Sequence, residues 1–290
     1  MKTIWNNTYT SLEWKFLKIS LVVFWLNLIF RTLVEYNTLP MPVGVLSFIQ
    51  PNYVISFFIK FLCLIATIIT LYFYISEKHM LWVTLFLFII SVLVFTMEES
   101  NGIFNRNGLF SFVFFAQFFA YFFNLKNINS NIKKNRVQFS VQVIAVGYTL
   151  SAFSKLNTSG INWVLDGRKM PLQIMKSFYY SYVDDGNIYY IQKAHEAING
   201  FNNHIHFIYF LLAFSLFLEL FALISIISKK HALVFGLLLL TMHIGIFIYM
   251  NISIVGIIYP MLICMINPFY IFWILFVNSK SKLKVLINNG

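Results

Sequence analysis

Charge is scarce in this chain. Only 11% of its 290 residues are Asp, Glu, Lys or Arg, against about 25% in an ordinary soluble domain. Hydrophobic residues make up 59% and the mean hydropathy is +0.76. So little polar side chain leaves a large apolar surface that water does not cover, which excludes a soluble globular protein. Cysteine is scarcer still. Cys63 and Cys264 each lie inside an apolar run, where two isolated thiols read as inert and make no disulfide framework. There is also no Gly-rich phosphate loop, no GxSxG and no HExxH. Their absence speaks against an ATP-driven pump, an α/β-hydrolase and a zinc protease. No internal repeat or low-complexity stretch interrupts residues 1–290, which read as a single integral membrane domain.

What the chain does have is long apolar runs and 34 phenylalanines. About 20 apolar residues cross a hydrocarbon core of about 30 Å. The runs at 16–35, 53–75, 80–97, 108–125, 137–156, 205–228, 232–250 and 252–277 meet that length. The expected fold is therefore all-α, a polytopic transmembrane helical bundle of about eight spans. The opening residues, MKTIWNNTYTSLEWKFLK, lack the short apolar core and small residues of a cleavable signal. The first run is expected to stay as an anchor.

The net charge of +11 falls mainly in the loops. The amino end carries Lys2, Lys15 and Lys18, EKH stands near 76–79, and KNINSNIKKNR occupies 126–136. SKKH (228–231) and KSKLK (280–284) follow. The loops between them are poor in Lys and Arg, so the alternation places both termini in the cytoplasm. Basic residues so placed orient helices and attract anionic membrane lipid, and nucleic acid is not an expected partner. The exception in length is 157–204, read as a long extracytoplasmic loop. Within it MPLQIMKSFYYSY (170–182) is amphipathic enough to lie as a helix in the interface.

An ionisable group inside a bilayer costs a few kcal/mol and so marks a candidate site. Lys155 ends the fifth span, and Tyr148, Ser151 and Lys155 share one helix face at i, i+3 and i+7. The amine reads either as a snorkelling cation or as a desolvated base in a polar pocket. His243 in the seventh span reads as a proton carrier or as a packing hydrogen bond. Glu219 in the sixth span is expected toward the cytoplasmic half, far in depth from Lys155, with helix packing as its role. Arg31 and Glu35 are spaced as a local i, i+4 ion pair. Glu98 and Glu99 read as a solvated helix end. His204 and His206, with His195 upstream, diverge on a helix, so no metal is expected.

Two segments carry a resemblance to a known family. QVIAVGYTLSAFSKLNTSGINWVLDG (142–167) has a small-residue helix ending in Lys-Leu, then Trp163 and Gly167. LELFALISIISKKHALVFGLLLLTMHIGIFIYMNI (218–252) has a Leu-Glu helix followed by a helix with one His. Together they resemble the horizontally transferred transmembrane (HTTM) domain, the membrane half of vitamin K-dependent gamma-carboxylase and its bacterial relatives. The resemblance implies a membrane lyase of carboxylase and epoxidase type, multi-pass in a bacterial inner membrane. It implies reduced menaquinone or another naphthoquinol as cofactor and a peptide or protein substrate on the extracytoplasmic side. It makes Lys155 the base on the outer side, with His243 beside it and Tyr148, Ser151, Trp163 and Glu219 as pocket or support. The chain departs from the family at FNRNGLF (104–110), where Asn107 stands in place of an expected His. It also lacks the carboxylase's large extracytoplasmic domain. An alternative follows from relatives that mature the sporulation-delaying peptide: a non-catalytic membrane factor for maturation or export of a small peptide. A transporter ranks below both, because the polar residues line no continuous path and no paired broken helices mark one.

Overall fold

The computed structural model describes Tyr9, residues 11–35, 42–48, 57–101, 108–124, 132–250 and 255–272, and Leu275. Its regular elements are all helical, and no strand occurs among the described residues. They are α1 (Ser11–Glu35), α2 (Phe57–Ile75), α3 (Met80–Ser100), α4 (Gly108–Phe123), α5 (Ile132–Ser159) and a single turn, α6 (Asn162–Leu165). There follow α7 (Met170–Asp185), α8 (Tyr189–Asn203), α9 (Ile205–Leu220), α10 (Lys229–Met250), α11 (Val255–Met261) and α12 (Pro268–Phe272). Contacts group them into two units, residues 1–144 with 255–290 and residues 145–254.

Among the described residues three helices are long and apolar enough to cross a bilayer: α3, residues 135–159 of α5 and residues 229–248 of α10. The α8–α9 pair, bent by 89°, makes a fourth if counted as one span, and shorter apolar helices cover 60–75, 108–123 and 256–272. An apolar helix must hide its own polar groups. In α3 the hydroxyls of Thr84, Ser91, Thr96 and Ser100 do so by donating to carbonyls four residues back. In α10 only 22% of the apolar window is buried by protein. Phe247 and Ile248 are exposed there, an apolar surface of the kind a bilayer can cover.

In the first unit Trp25 forms the aromatic centre, with Phe95, Phe110 and Phe114 ring centroids 5.9, 5.7 and 6.3 Å away. The turn from α2 to α3 puts Glu77 (φ 57°) and His79 (φ 51°) in the left-handed region. That conformation costs a non-glycine residue about 1–2 kcal/mol. Glu77 is held there by its ionic partners, described below.

In the second unit α5 ends at Gly160 (φ 59°), whose N–H closes on the Leu156 carbonyl at 2.8 Å. The segment read as a loop, 157–204, is largely helical. The amphipathic stretch 170–182 lies within α7, with Pro171 in its first turn. Gly186 (φ 66°) turns the chain, and α8 returns so that Ile174 and Phe178 bury against Ala194 and Phe201.

Two apolar runs are broken where unbroken helices were expected. The 205–228 run is α-helical only to Leu220, then tightens into a 3₁₀ turn at Ala222–Ile226. The 252–277 run contains Pro260, which has no N–H to give and crowds the preceding turn. Beyond it the helix widens to a π-turn at Leu262–Ile266, and Asn267 (φ 49°) leads into α12 at Pro268.

Candidate functional site

Four polar side chains meet in the second unit, drawn from three helices. Tyr148 and Lys155 lie two turns apart on α5 and so face the same way. The Lys155 Nζ donates to both carboxylate oxygens of Glu219, at 2.6 and 2.5 Å. Glu219 is the penultimate residue of α9 and its side chain is 6% exposed, whereas that of Lys155 is 26% exposed. Thr149 adds a hydrogen bond from its hydroxyl to the Glu219 carbonyl, 3.3 Å long. Tyr148 shares a 2.6 Å hydrogen bond with Nε2 of His243 on α10. The indole of Trp163, on α6, has its centroid 4.7 Å from the Lys155 ammonium, within reach of a cation–π contact.

The two pairs form one electrostatic neighbourhood. Tyr148 and Lys155 on α5 link them, one in each pair. A one-to-one ion pair in an apolar setting offsets much of the cost of burying each charge. One valence stays open. Nδ1 of His243 is buried without a hydrogen-bond partner among the described residues. If Tyr148 donates to Nε2, that nitrogen is an N–H with no acceptor. If Nε2 donates to Tyr148, it is a lone pair with no donor.

The pairing corrects the expectation that Glu219 lies far in depth from Lys155. That expectation counted residues along a straight span from 205. The helix instead starts at a corner bent by 89° at His204 and stops at Leu220, so residue count along the run does not set depth. Of the other expected residues, Ser151 is exposed although it shares the Tyr148–Lys155 face by spacing. Asn107 lies outside the described residues, as does the side chain of Glu35, so the expected pair with Arg31 falls outside them too. Glu98 is buried, not solvated, while Glu99 is exposed. His195, His204 and His206 are all exposed.

Spacing gave no hint of a second ionic cluster, wholly within the first unit. Glu77 accepts from the Trp14 indole N–H at 2.8 Å, from Lys18 Nζ at 2.8 Å and from Arg136 Nη1 at 3.1 Å. Lys18 also donates to the Ile75 carbonyl at 2.6 Å. Arg136 lies over the Trp14 ring at 3.6 Å and reaches the Tyr121 hydroxyl at 3.2 Å. Desolvation pushes the Glu77 carboxyl up, but the Lys18 hydrogen bond, the Arg136 charge and the Trp14 donor outweigh it and hold its pKa at about 2. The basic loop composition around 76–79 and 126–136 was the one available signal.

No protein-family model, curated protein or solved structure matches the chain.

Proposed function

We propose that this is a multi-pass membrane enzyme of about eight spans with both termini in the cytoplasm, resident in a bacterial inner membrane. Its chemistry resembles that of the HTTM membrane half of the vitamin K-dependent carboxylase, with Lys155 as base. Each of the eight expected apolar runs contains a helix among its described residues, which supports the span count. The observation that carries the functional reading is the meeting of Lys155, Glu219, Tyr148 and His243 inside an apolar unit.

The residues fit a reduced naphthoquinone. The open valence at His243 Nδ1 suits a ring hydroxyl, and Trp163 offers an aromatic face beside the amine. When bound, reduced menaquinone or another naphthoquinol supplies two electrons and two protons. Lys155 as an ammonium cannot accept a proton. It becomes a base when its proton crosses the hydrogen bond to Glu219, leaving a neutral amine beside a neutral acid, a state that a water-poor site tolerates. His243, fixed by Tyr148, then orients the partner of its open nitrogen. A peptide or protein on the extracytoplasmic side is the substrate class this reading carries.

Oxidation of a reduced naphthoquinone by dissolved dioxygen, which takes up its two electrons, measured with the purified chain in lipid nanodiscs, tests it. Lys155→Ala should lose activity by about 10²-fold or more, the scale of one general base; turnover equal to wild type sinks the proposal. The bidentate pairing itself favours a second reading, in which Lys155 and Glu219 join helices in a non-catalytic factor for maturing or exporting a small peptide. There, peptide maturation survives in any variant that keeps the helices joined.

A further inference from the structure

A groove of about 390 Å³ runs between α2 and α3 in the first unit, within the roughly 300–1,000 Å³ typical of ligand clefts. Its walls are Ile69, Thr70 and Phe73 on one side and Trp82, Phe86 and Ile89 on the other. Thr70 turns its hydroxyl onto the Ala66 carbonyl at 2.7 Å, so it presents no polar donor to the groove. Trp82 is 68% exposed, and Ile69, Phe86 and Ile89 are exposed as well. From the α2–α3 turn the lining reaches ten residues along α3, to Ile89. At 1.5 Å per residue this is about 15 Å, the depth of one leaflet of a core of about 30 Å.

The mouth of the groove is charged. Lys78 and His79 sit in the turn, both exposed, and the His79 ring meets the Phe73 ring edge-on at 6.2 Å. The neighbouring carboxylate of Glu77 does not neutralise Lys78, because it is engaged by Trp14, Lys18 and Arg136. Lys18, Arg136 and Lys78 together outnumber Glu77 by two positive charges at this end. Apolar walls one leaflet deep, closed at one end by the exposed Lys78 ammonium and a local excess of positive charge, match the shape and charge of one class of molecule.

We infer that this groove is a binding site for an anionic phospholipid, one acyl chain lying against Phe73, Trp82 and Phe86 and the phosphate meeting Lys78 and His79. The inference rests on the reading of α2 and α3 as helices in a membrane, and it is independent of the chemistry at Lys155.

Trp82 reports on the site directly. The full chain is placed in phosphatidylcholine nanodiscs with small amounts of brominated phosphatidylglycerol or brominated phosphatidylcholine. The Trp82 signal is the difference between wild type and Trp82→Phe. Brominated phosphatidylglycerol should quench it at about fivefold lower mole fraction, the factor that one basic residue near an anionic surface contributes. Lys78→Glu should erase that preference. Equal quenching by the two lipids overturns the site and leaves ordinary lipid contact. Quenching of the other tryptophans alone overturns it too, and shows the groove filled by protein, such as a second copy. Quenching of no tryptophan by either lipid overturns the membrane reading itself.

Discussion

The two units each enclose an ionic cluster, and the clusters differ in kind. In the first, one carboxylate receives three donors: Glu77 is held by Trp14, Lys18 and Arg136. The donors come from α1 and α5 and the carboxylate from the α2–α3 turn, so the cluster ties three parts of the chain and sustains a left-handed residue. In the second, Lys155 and Glu219 hold each other, and beside them His243 keeps a buried nitrogen with no partner. Convergent donors around one anion make a staple. A single amine–carboxylate pair leaves each partner dependent on the other alone. Both clusters are ionic and each keeps a buried nitrogen with no partner among the described residues, Nε of Arg136 in the first and Nδ1 of His243 in the second; what separates them is three donors around one carboxylate against one amine paired with one carboxylate.

The largest expected effect comes from breaking the second cluster unevenly. Lys155→Met strands a carboxylate that is 6% exposed, and an unpaired buried charge costs about 3–5 kcal/mol. Unfolding in mixed micelles should show a loss of that order. The double variant Lys155→Met/Glu219→Leu removes both charges and should recover most of the stability, since apolar replacements of a buried pair are often neutral. Turnover should not recover. If the double variant regains both stability and activity, the pair is a second staple and the contrast between the units disappears.

The staple is broken by acid. The Glu77 pKa is lowered from 4.5 to about 2 in the folded chain. A lowered carboxylate pKa stabilises the fold above the unfolded value, and that contribution is lost as pH falls through the folded one. Stability should therefore decline between about pH 4.5 and pH 2. Glu77→Gln should lower stability at neutral pH by up to about 3 kcal/mol, the low end for a broken buried pair, because Glu77 itself is 40% exposed. The variant should also flatten this part of the pH profile. An unchanged acid limb in Glu77→Gln assigns the decline to other carboxylates.

The helices were legible in the sequence because apolar runs of membrane length have few alternatives. The breaks were partly legible: Pro260 and Pro268 bracket the π-turn, whereas nothing in LELFALISI announces the change to 3₁₀ at Ala222. The amphipathic stretch 170–182 pointed to α7, but its antiparallel partner α8 reads as polar loop by composition. Lys155, Tyr148 and His243 stood out as costly groups in apolar runs. That Glu219 closes on Lys155 was hidden, because the 89° corner at His204 is a tertiary feature. Glu77 was hidden more deeply. A Glu in a short basic turn reads as solvated, and only the folded chain brings residues 14, 18, 77 and 136 together.

The smallest effect tests the open valence. Tyr148→Phe removes one hydrogen bond between helices, which in membrane proteins averages about 0.6 kcal/mol. Stability should barely change. His243, however, loses the group that fixes its ring, and both ring nitrogens are then free to seek partners. Quinol oxidation should fall by about tenfold or more, mostly through kcat, because a misoriented imidazole still lines the site but no longer holds its guest in register. His243→Gln keeps one amide donor and acceptor near the same place and should retain part of the rate. A Tyr148→Phe protein with full turnover would show that the Tyr148–His243 bond only packs α5 against α10.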